Sequence, residues 1–322
     1  MKDRTVLVTG ATGFIGRYVV SHLLDEGLRI FALVPEGEEY FPPENKAVEV
    51  VRGDITDRLH IPAGVSAIYH CAGVITMVEE MERVNVRGTQ NVVEAAIANN
   101  CRLIHLSSAG VVGKTNNKTI NEETPCRPDS LYEKTKLRAE EIVRHGINKG
   151  LRAQILRPTI VFGAGRAPGD DSFFQLISVI ATNNYRHIRG GSGIYNIVNA
   201  GEVARAMFAL DNDAIPSGSV FIINTPIRFF EFASIISGAV GKDNAKIGNI
   251  PYAAALTAAA IFSLLRLLTG KKRGLTYSRL KALTDSRTFS QDRLIHETTY
   301  RPLHSVAEYL KKVCEEYRIT PN

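Results

Sequence analysis

A short run rich in β-branched residues, Arg4-Thr5-Val6-Leu7-Val8-Thr9, passes directly into Gly10-Ala11-Thr12-Gly13-Phe14-Ile15-Gly16 and then into a helical pattern carrying Leu23 and Leu24. Strand, tight turn and helix in that order constrain the fold more than any other feature of the chain. A turn of this kind presents backbone N–H groups and the positive end of a helix dipole, which suits the pyrophosphate of a dinucleotide. The spacing is Gly-x-x-Gly-x-x-Gly, one residue away from Gly-x-Gly-x-x-Gly. A bare glycine triplet also suits an ordinary turn. Here the triplet stands one strand into the chain, ahead of a helix and of a second strand over Arg29 to Val34, which is the context that dinucleotide binding requires.

The alternation continues. Strands are predicted over 48–51, 67–71, 103–107 and 153–156, with helices over 77–99 and 131–148 between them, so the first half reads as a parallel, doubly wound α/β sheet of the Rossmann type. Beyond Arg157-Pro158 the segments become longer and helical, except that Val220-Phe221-Ile222-Ile223 reads as a strand returning to the main sheet. At 322 residues and 44% hydrophobic content, the chain can bury a large domain and a smaller one. The expected division is a dinucleotide-binding domain over 1–165, with 194–224 returning to it. A smaller, mostly helical substrate domain takes 166–193 and 225–322.

Composition narrows the setting. Cys71, Cys101, Cys126 and Cys314 lie far apart and the eight histidines form no ligand pair, so neither a metal site nor a disulfide framework is expected. Lys2, Asp3 and Arg4 stand directly before a core strand, which leaves no room for a signal peptide, and a reducing cytoplasm is the expected home. The formal charge of +6 is scattered among 33 acidic residues without an aromatic-interleaved basic stripe. Nucleic acid is therefore not an expected partner, and a solvated basic surface that favours anionic small molecules is.

The chemistry sits in Tyr132-Glu133-Lys134-Thr135-Lys136, with Ser108 upstream. Tyr132 and Lys136 are four apart on a predicted helix and share one face. A phenol titrates near 10, and an ammonium beside it together with a charged nicotinamide ring would favour the phenolate, making Tyr132 a candidate general base or acid. Ser108 follows a strand at the carboxyl edge of a parallel sheet, where such folds bind ligands, and its hydroxyl could hold a substrate oxygen. A Tyr-x-x-x-Lys pair alone is common on surfaces; its company here sets it apart.

At this point the sequence resembles a known family, the extended short-chain dehydrogenase/reductases, or NAD-dependent epimerase/dehydratase family. The resemblance spans nearly the whole chain and is carried by Thr9 to Gly16, Gly53-Asp54-Ile55, His70-Cys71-Ala72-Gly73, Asn85-Val86-Arg87-Gly88-Thr89, Leu106-Ser107-Ser108-Ala109-Gly110, Tyr132 to Lys136, and Arg157-Pro158-Thr159-Ile160-Val161-Phe162-Gly163. It implies a catalytic trio of Ser108, Tyr132 and Lys136. For the cofactor it implies Gly10, Thr12, Gly13, Phe14, Ile15 and Gly16 at the turn, Asp54 and Ile55 along the adenine, and Cys71, Ala72 and Gly73 along ribose and phosphates. Ser107, Tyr132 and Lys136, with Pro158, Ile160 and Val161, would lie toward the nicotinamide. Asn85 matches a family asparagine and is read as structural or water-holding.

Departures from the pattern sort the substrates. Dehydratases of the family carry Asp-Glu after the catalytic Ser or Thr, where this chain has Ala109 and Gly110, so dehydration is not expected. Many nucleotide-sugar epimerases have an arginine where the spacing puts Tyr195, while Arg186, Arg189, Arg228 or Arg279 could supply charge. Nucleotide-sugar epimerisation stands marginally ahead of oxidoreduction of a hydrophobic alcohol or ketone, the steroid- or flavonoid-reductase type that Ser107 to Gly110 resembles. A non-catalytic dinucleotide sensor is the second alternative. NAD is expected ahead of NADP, because Val34-Pro35-Glu36-Gly37-Glu38-Glu39 ends the second strand with acids, although Arg17 and Arg52 could reverse that. The resemblance also implies a homodimer. Finally, 15 residues from Pro251 to Leu265 carry no charge. They are too few to span a bilayer, which needs about 20, and are read as a substrate-domain helix over the active site, with contact to a membrane surface the lesser reading.

Overall fold

The structure is a computed structural model that describes residues 4–40, 47–165, 172–182, 184–241, 247–269 and 275–319. Its centre is a seven-stranded parallel sheet of β1 (Thr5–Thr9), β2 (Arg29–Val34), β3 (Val48–Arg52), β4 (Val65–His70), β5 (Arg102–Leu106), β7 (Ala153–Pro158) and β11 (Val220–Ile223), ordered β11-β7-β5-β4-β1-β2-β3. Period-2 patterning makes both faces apolar. Val6, Val8, Tyr69 and Ile104 enter one core with α1 (Phe14–Asp25) and α5 (Ala200–Leu210); Leu7, Ile68 and Leu103 enter another with α2 (Thr89–Ala98) and α3 (Leu131–Ile147). The chain runs outward from β1 to β3, then returns to lay β4 on the other side of β1, with Thr9 opposite His70. That reversal opens a crevice at the carboxyl ends of β1 and β4, where open α/β sheets bind ligands.

Beside this layer lies a three-stranded sheet of β8 (Ile160–Phe162), β10 (Ile194–Asn199) and β12 (Thr225–Arg228), ordered β12-β10-β8. Val220 to Ile223 joins the main sheet along β7, whereas Ile194 to Asn199 pairs in the small one. A phenylalanine-rich core under the small sheet includes Phe162, Phe173, Phe174 and Phe232, and ties it to α4 (Ser172–Ala181), α6 (Phe229–Ala239) and α10 (Val306–Ile319). The smaller helical region is completed by α7 (Tyr252–Thr269), α8 (Tyr277–Thr284) and α9 (Asp292–Glu297). Two short parallel pairs, β9 (His187–Ile188) with β13 (Asn249–Ile250) and β6 (Thr119–Ile120) with β14 (Thr288–Phe289), stitch loops together. Among the described residues no helix is long and apolar enough to cross a membrane.

One element differs from the sequence reading. The segment expected as one long helix over 77–99 is a 3₁₀ turn (Val78–Glu80), a π-helix (Glu82–Gly88) and then α2. The widened turn carries Asn85, whose side chain is bonded to Val74, and ends at Gly88, where a Cβ would lie 2.6 Å from Ile55 Cδ1. Such widened turns gather at functional sites and leave no mark in hydrophobic periodicity.

Candidate active site

At the glycine turn, Gly13 N–H donates to the Gly10 carbonyl at 3.0 Å, and Gly13 caps α1 without any side-chain bond to the first turn. That turn carries no acid, so the positive helix end faces the crevice unneutralised. Gly10 has φ +67°, and a Cβ there would lie 2.6 Å from Ala72 N; a Cβ on Gly16 would overlap the Gly10 carbonyl oxygen. The turn is therefore pressed against the loop after β4, bringing Cys71, Ala72 and Gly73 beside it. A Gly16→Ala variant is expected to lose about 1–3 kcal/mol by overpacking. Denaturant unfolding reads this, and an unchanged midpoint would refute the packing account.

From the end of β2, Glu38 reaches back to accept a 2.8 Å bond from the Thr12 hydroxyl. Arg52 donates to the Pro35 and Glu38 carbonyls, and Arg17 to the Gly165 carbonyl. Asp54 caps its own turn through Thr56 N–H and faces Arg83, while Ile55 is buried against Gly88. Phe14 packs edge-on against Tyr18, and Ile15 lies against the core. Pro158 ends β7, half-buried Val161 lies on β8, and Ile160 at the start of β8 is exposed.

Ser108 leaves β5 in an extended conformation, and its Oγ accepts from Gly110 N–H at 3.1 Å. Tyr132 sits in the first turn of α3, fixed by a capping box between Ser130 and Glu133, and that turn adjoins the Ser108 loop, since a Cβ on Gly110 would stand 3.2 Å from both Ser108 Oγ and Glu133 Cγ. Burial raises the phenol's pKa, the Ser108 side chain opposes this, and Glu133 adds to the rise. The expectation of a phenolate favoured by the neighbouring ammonium is thus not what the protein alone produces. Lys136 Nζ donates instead to the Leu106 carbonyl at 2.5 Å. Burial lowers the Lys136 pKa to about 8, against the opposing charges of Glu140 and Cys71. A Cβ on Gly73 would stand 4.0 Å from that Nζ, so the lysine faces the loop beside the glycine turn. Gly10 packs on Ala72, the neighbouring Gly73 faces Lys136, and Lys136 shares α3 with Tyr132 beside the Ser108 loop, so these groups converge at the carboxyl edge of the sheet; no contact brings Asp54 or Ile160 to them among the described residues.

Supporting groups surround the site: Asn85, read from the sequence as structural or water-holding, and Glu140, which escaped that reading. Asn85 Oδ1 accepts from Val74 N–H at 2.8 Å, and its Nδ2 donates to the Val74 carbonyl and to Thr135 Oγ1 on α3, clamping the Gly73 loop to the helix of Tyr132. Fully buried Glu140 accepts from Ser107 Oγ at 2.6 Å and from Arg157 at 2.8 and 2.7 Å. The available signal was spacing, since Glu140 follows Lys136 by four on the same face.

Beneath the loop, the Thr89 hydroxyl donates to the Asn85 carbonyl, so His70 Nε2–H donates to Thr89 and Nδ1 accepts from Thr9 at 2.7 Å. The acceptor bond at Nδ1 needs a neutral ring. Burial, aided by Lys136, lowers the His70 pKa to about 3, and burial also lowers that of His105, whose ring lies 5.3 Å away. An unfolded chain protonates His70 near its ordinary 6.5 but the folded protein only near 3, so stability is full above the first value and lost as pH falls toward the second. His70 alone should remove roughly 2 kcal/mol by about pH 5. A melting temperature that stays level between about pH 7 and pH 5 would refute this.

The profile of the NAD dependent epimerase/dehydratase family matches residues 6–223. The 4-hydroxy-2-methyl-3-oxo-4-farnesyl-3,4-dihydroquinoline-1-oxide ketoreductase of Stigmatella aurantiaca is 29% identical over 281 residues, covering 83% of this chain and 82% of that protein. The 3 beta-hydroxysteroid dehydrogenase/Delta 5-->4-isomerase of Mycobacterium tuberculosis is 31% identical over 268 residues, 74% of this chain and 70% of its own. Among solved structures, UDP-glucuronic acid 4-epimerase from Bacillus cereus, in complex with NAD, superposes with a TM-score of 0.73 at 18% identity, covering 98% of this chain and 99% of that one.

Proposed function

The chain belongs to the NAD dependent epimerase/dehydratase family, and from that premise we propose that it is an NAD-dependent oxidoreductase of a bulky, hydrophobic secondary alcohol or its ketone. The observation that carries the reaction is the meeting of the Ser108 loop with the first turn of α3 at the carboxyl edge of the sheet, where a Cβ on Gly110 would stand 3.2 Å from both Ser108 Oγ and Glu133 Cγ, the neighbour of Tyr132, with Lys136 one turn further along α3 and facing Gly73. The turn fits a dinucleotide, since its glycines leave no Cβ between the backbone and the crevice and the α1 terminus is unneutralised. The Glu38 carboxylate against Thr12 favours a ribose hydroxyl over a 2′-phosphate, hence NAD over NADP. In the division that accompanies this reading, 1–165 with the returning strand bind the dinucleotide, and 166–193 with most of 225–322 shape the substrate site.

When bound, the nicotinamide supplies the hydride acceptor or donor. The chain's own groups handle the proton and the geometry. Ser108 Oγ holds the substrate oxygen, and Tyr132 Oη takes the hydroxyl proton in oxidation or returns it in reduction. Lys136, anchored on the Leu106 carbonyl, sets positive charge under that exchange. Asn85 keeps the Gly73 loop at a fixed distance from α3.

Substrate class rests on apolar surroundings. Tyr195, standing where nucleotide-sugar epimerases place an arginine, is stacked on Phe229 at 4.9 Å and edge-on to Phe232 at 5.3 Å. Ile75, Met77 and Val78, beyond the clamped loop, are large apolar residues left exposed. The ketoreductase and the hydroxysteroid dehydrogenase above are relatives whose named substrates are hydrophobic. The test offers NAD with hydroxysteroids and terpenoid alcohols in parallel with UDP-hexoses. Accumulation of reduced cofactor with the apolar alcohols is expected; interconversion of UDP-hexoses without net cofactor reduction would overturn the substrate class in favour of epimerisation.

A further inference from the structure

Helix α7 reverses the usual distribution of a surface helix. It meets the body through Ala255 and Ala259, four residues apart, which are buried with Ile188 and Leu280. Among its described side chains the large apolar ones stay outside: Tyr252 is 39% exposed, Leu256 40%, Ile261 54% and Phe262 39%. An ordinary amphipathic helix turns such residues inward and its small or polar ones to water. A cluster of large exposed apolar groups on one element marks an interaction surface.

Charge identifies what would cover it. From residue 244 to 284 the sequence contains no Asp or Glu and seven Lys or Arg. Exposed Arg279 and Lys281 stand on α8, which packs against α7, and exposed Arg189 lies 5.4 Å from the centre of the Tyr252 ring. Large apolar groups within a stretch of sequence whose charges are all cationic, on a helix of 18 residues that does not qualify as a span, match the interface of an anionic bilayer, where apolar side chains enter the acyl boundary and cations meet the headgroups.

We propose that α7 and α8 form a docking surface for an anionic lipid membrane, holding the protein on the bilayer without crossing it. This surface argument does not depend on the substrate class above, although α8 also packs beside β10, the strand of Tyr195, which puts the bilayer on the substrate side of the molecule. A hydrophobic substrate would then reach the crevice from the lipid rather than from water.

The experiment is flotation of the full chain with vesicles of phosphatidylcholine alone and of phosphatidylcholine with phosphatidylglycerol. Binding to the anionic vesicles is expected, at least tenfold weaker on neutral ones and reduced by salt. The Leu256→Ser/Ile261→Ser/Phe262→Ser variant should lose that binding while keeping its melting temperature and NAD affinity. Arg279→Glu/Lys281→Glu should weaken binding to anionic vesicles alone. Failure of the wild-type chain to float, or undiminished binding by the serine variant, overturns the proposal. So does sedimentation showing that the serine changes dissociate a dimer while vesicle binding persists, since α7 would then face a second copy of the chain.

Discussion

Tyr132→Phe lowers turnover by roughly 10²- to 10⁴-fold, the range spanned by a positioned general acid or base, and leaves dinucleotide affinity nearly unchanged. The phenyl ring keeps the packing of the first turn of α3, because the capping box of Ser130 and Glu133 does not involve the hydroxyl. What disappears is the Oη, the only atom of the side chain able to exchange a proton with the substrate oxygen. On the proposed reading the dinucleotide is gripped elsewhere, by the glycine turn and the loop of Cys71 to Gly73, which pack against each other. Steady-state rates and calorimetric titration with NAD separate the two effects. A parallel collapse of NAD affinity would make Tyr132 a structural residue. Wild-type protein that binds NAD yet turns over neither apolar alcohols nor sugar nucleotides would indicate a sensor.

Periodicity and turn chemistry carried the parallel sheet and its crossovers into the sequence because these are local properties. The Gly10 to Gly16 turn is legible for the same reason where Gly16 answers to the Gly10 carbonyl six residues before it, whereas the contact of Gly10 with Ala72 is long-range. The i, i+4 spacing of Tyr132 and Lys136 is likewise local, but the direction taken by the Lys136 ammonium is not. It is set by the Leu106 carbonyl, thirty residues distant in sequence, and so the electrostatics of the phenol could not be read from spacing. The π-helix around Asn85 depends on Val74 and Ile55, two more remote partners. Helix α7 shows the converse case. Its uncharged run was visible in the sequence, but only the packing reveals that Ala255 and Ala259 face the body while Tyr252, Leu256, Ile261 and Phe262 face out.

Glu140→Gln destabilises the protein by about 3–5 kcal/mol, the cost of leaving a buried charge without its partner. Arg157 is 2% exposed and gives two hydrogen bonds to the Glu140 carboxylate, while its Nη1 is buried with no bond at all. Neutralising Glu140 therefore strands a guanidinium that has no access to water. Burial works to raise the Glu140 pKa, but Arg157, Ser107 and Arg144 outweigh it and hold the carboxyl below its ordinary 4.5. Its stabilising contribution is accordingly complete above that value and lost as pH falls through the lower folded pKa. The double variant Glu140→Gln/Arg157→Met should recover part of the loss, because it removes the stranded charge, and a double-mutant cycle measures the coupling. A purely additive cycle would refute the ion-pair account. The same substitution reaches the reaction, since the Glu140 carboxylate holds Ser107, the residue before Ser108, and its charge raises the Lys136 pKa against burial. Removing that charge leaves only Cys71 opposing burial, so the ammonium should deprotonate below the wild-type value of about 8 and the alkaline limb of the pH–rate profile should move to lower pH. A lowered stability with an unmoved pH profile would confine Glu140 to the scaffold; movement of both ties the buried pair to the proton transfer above it.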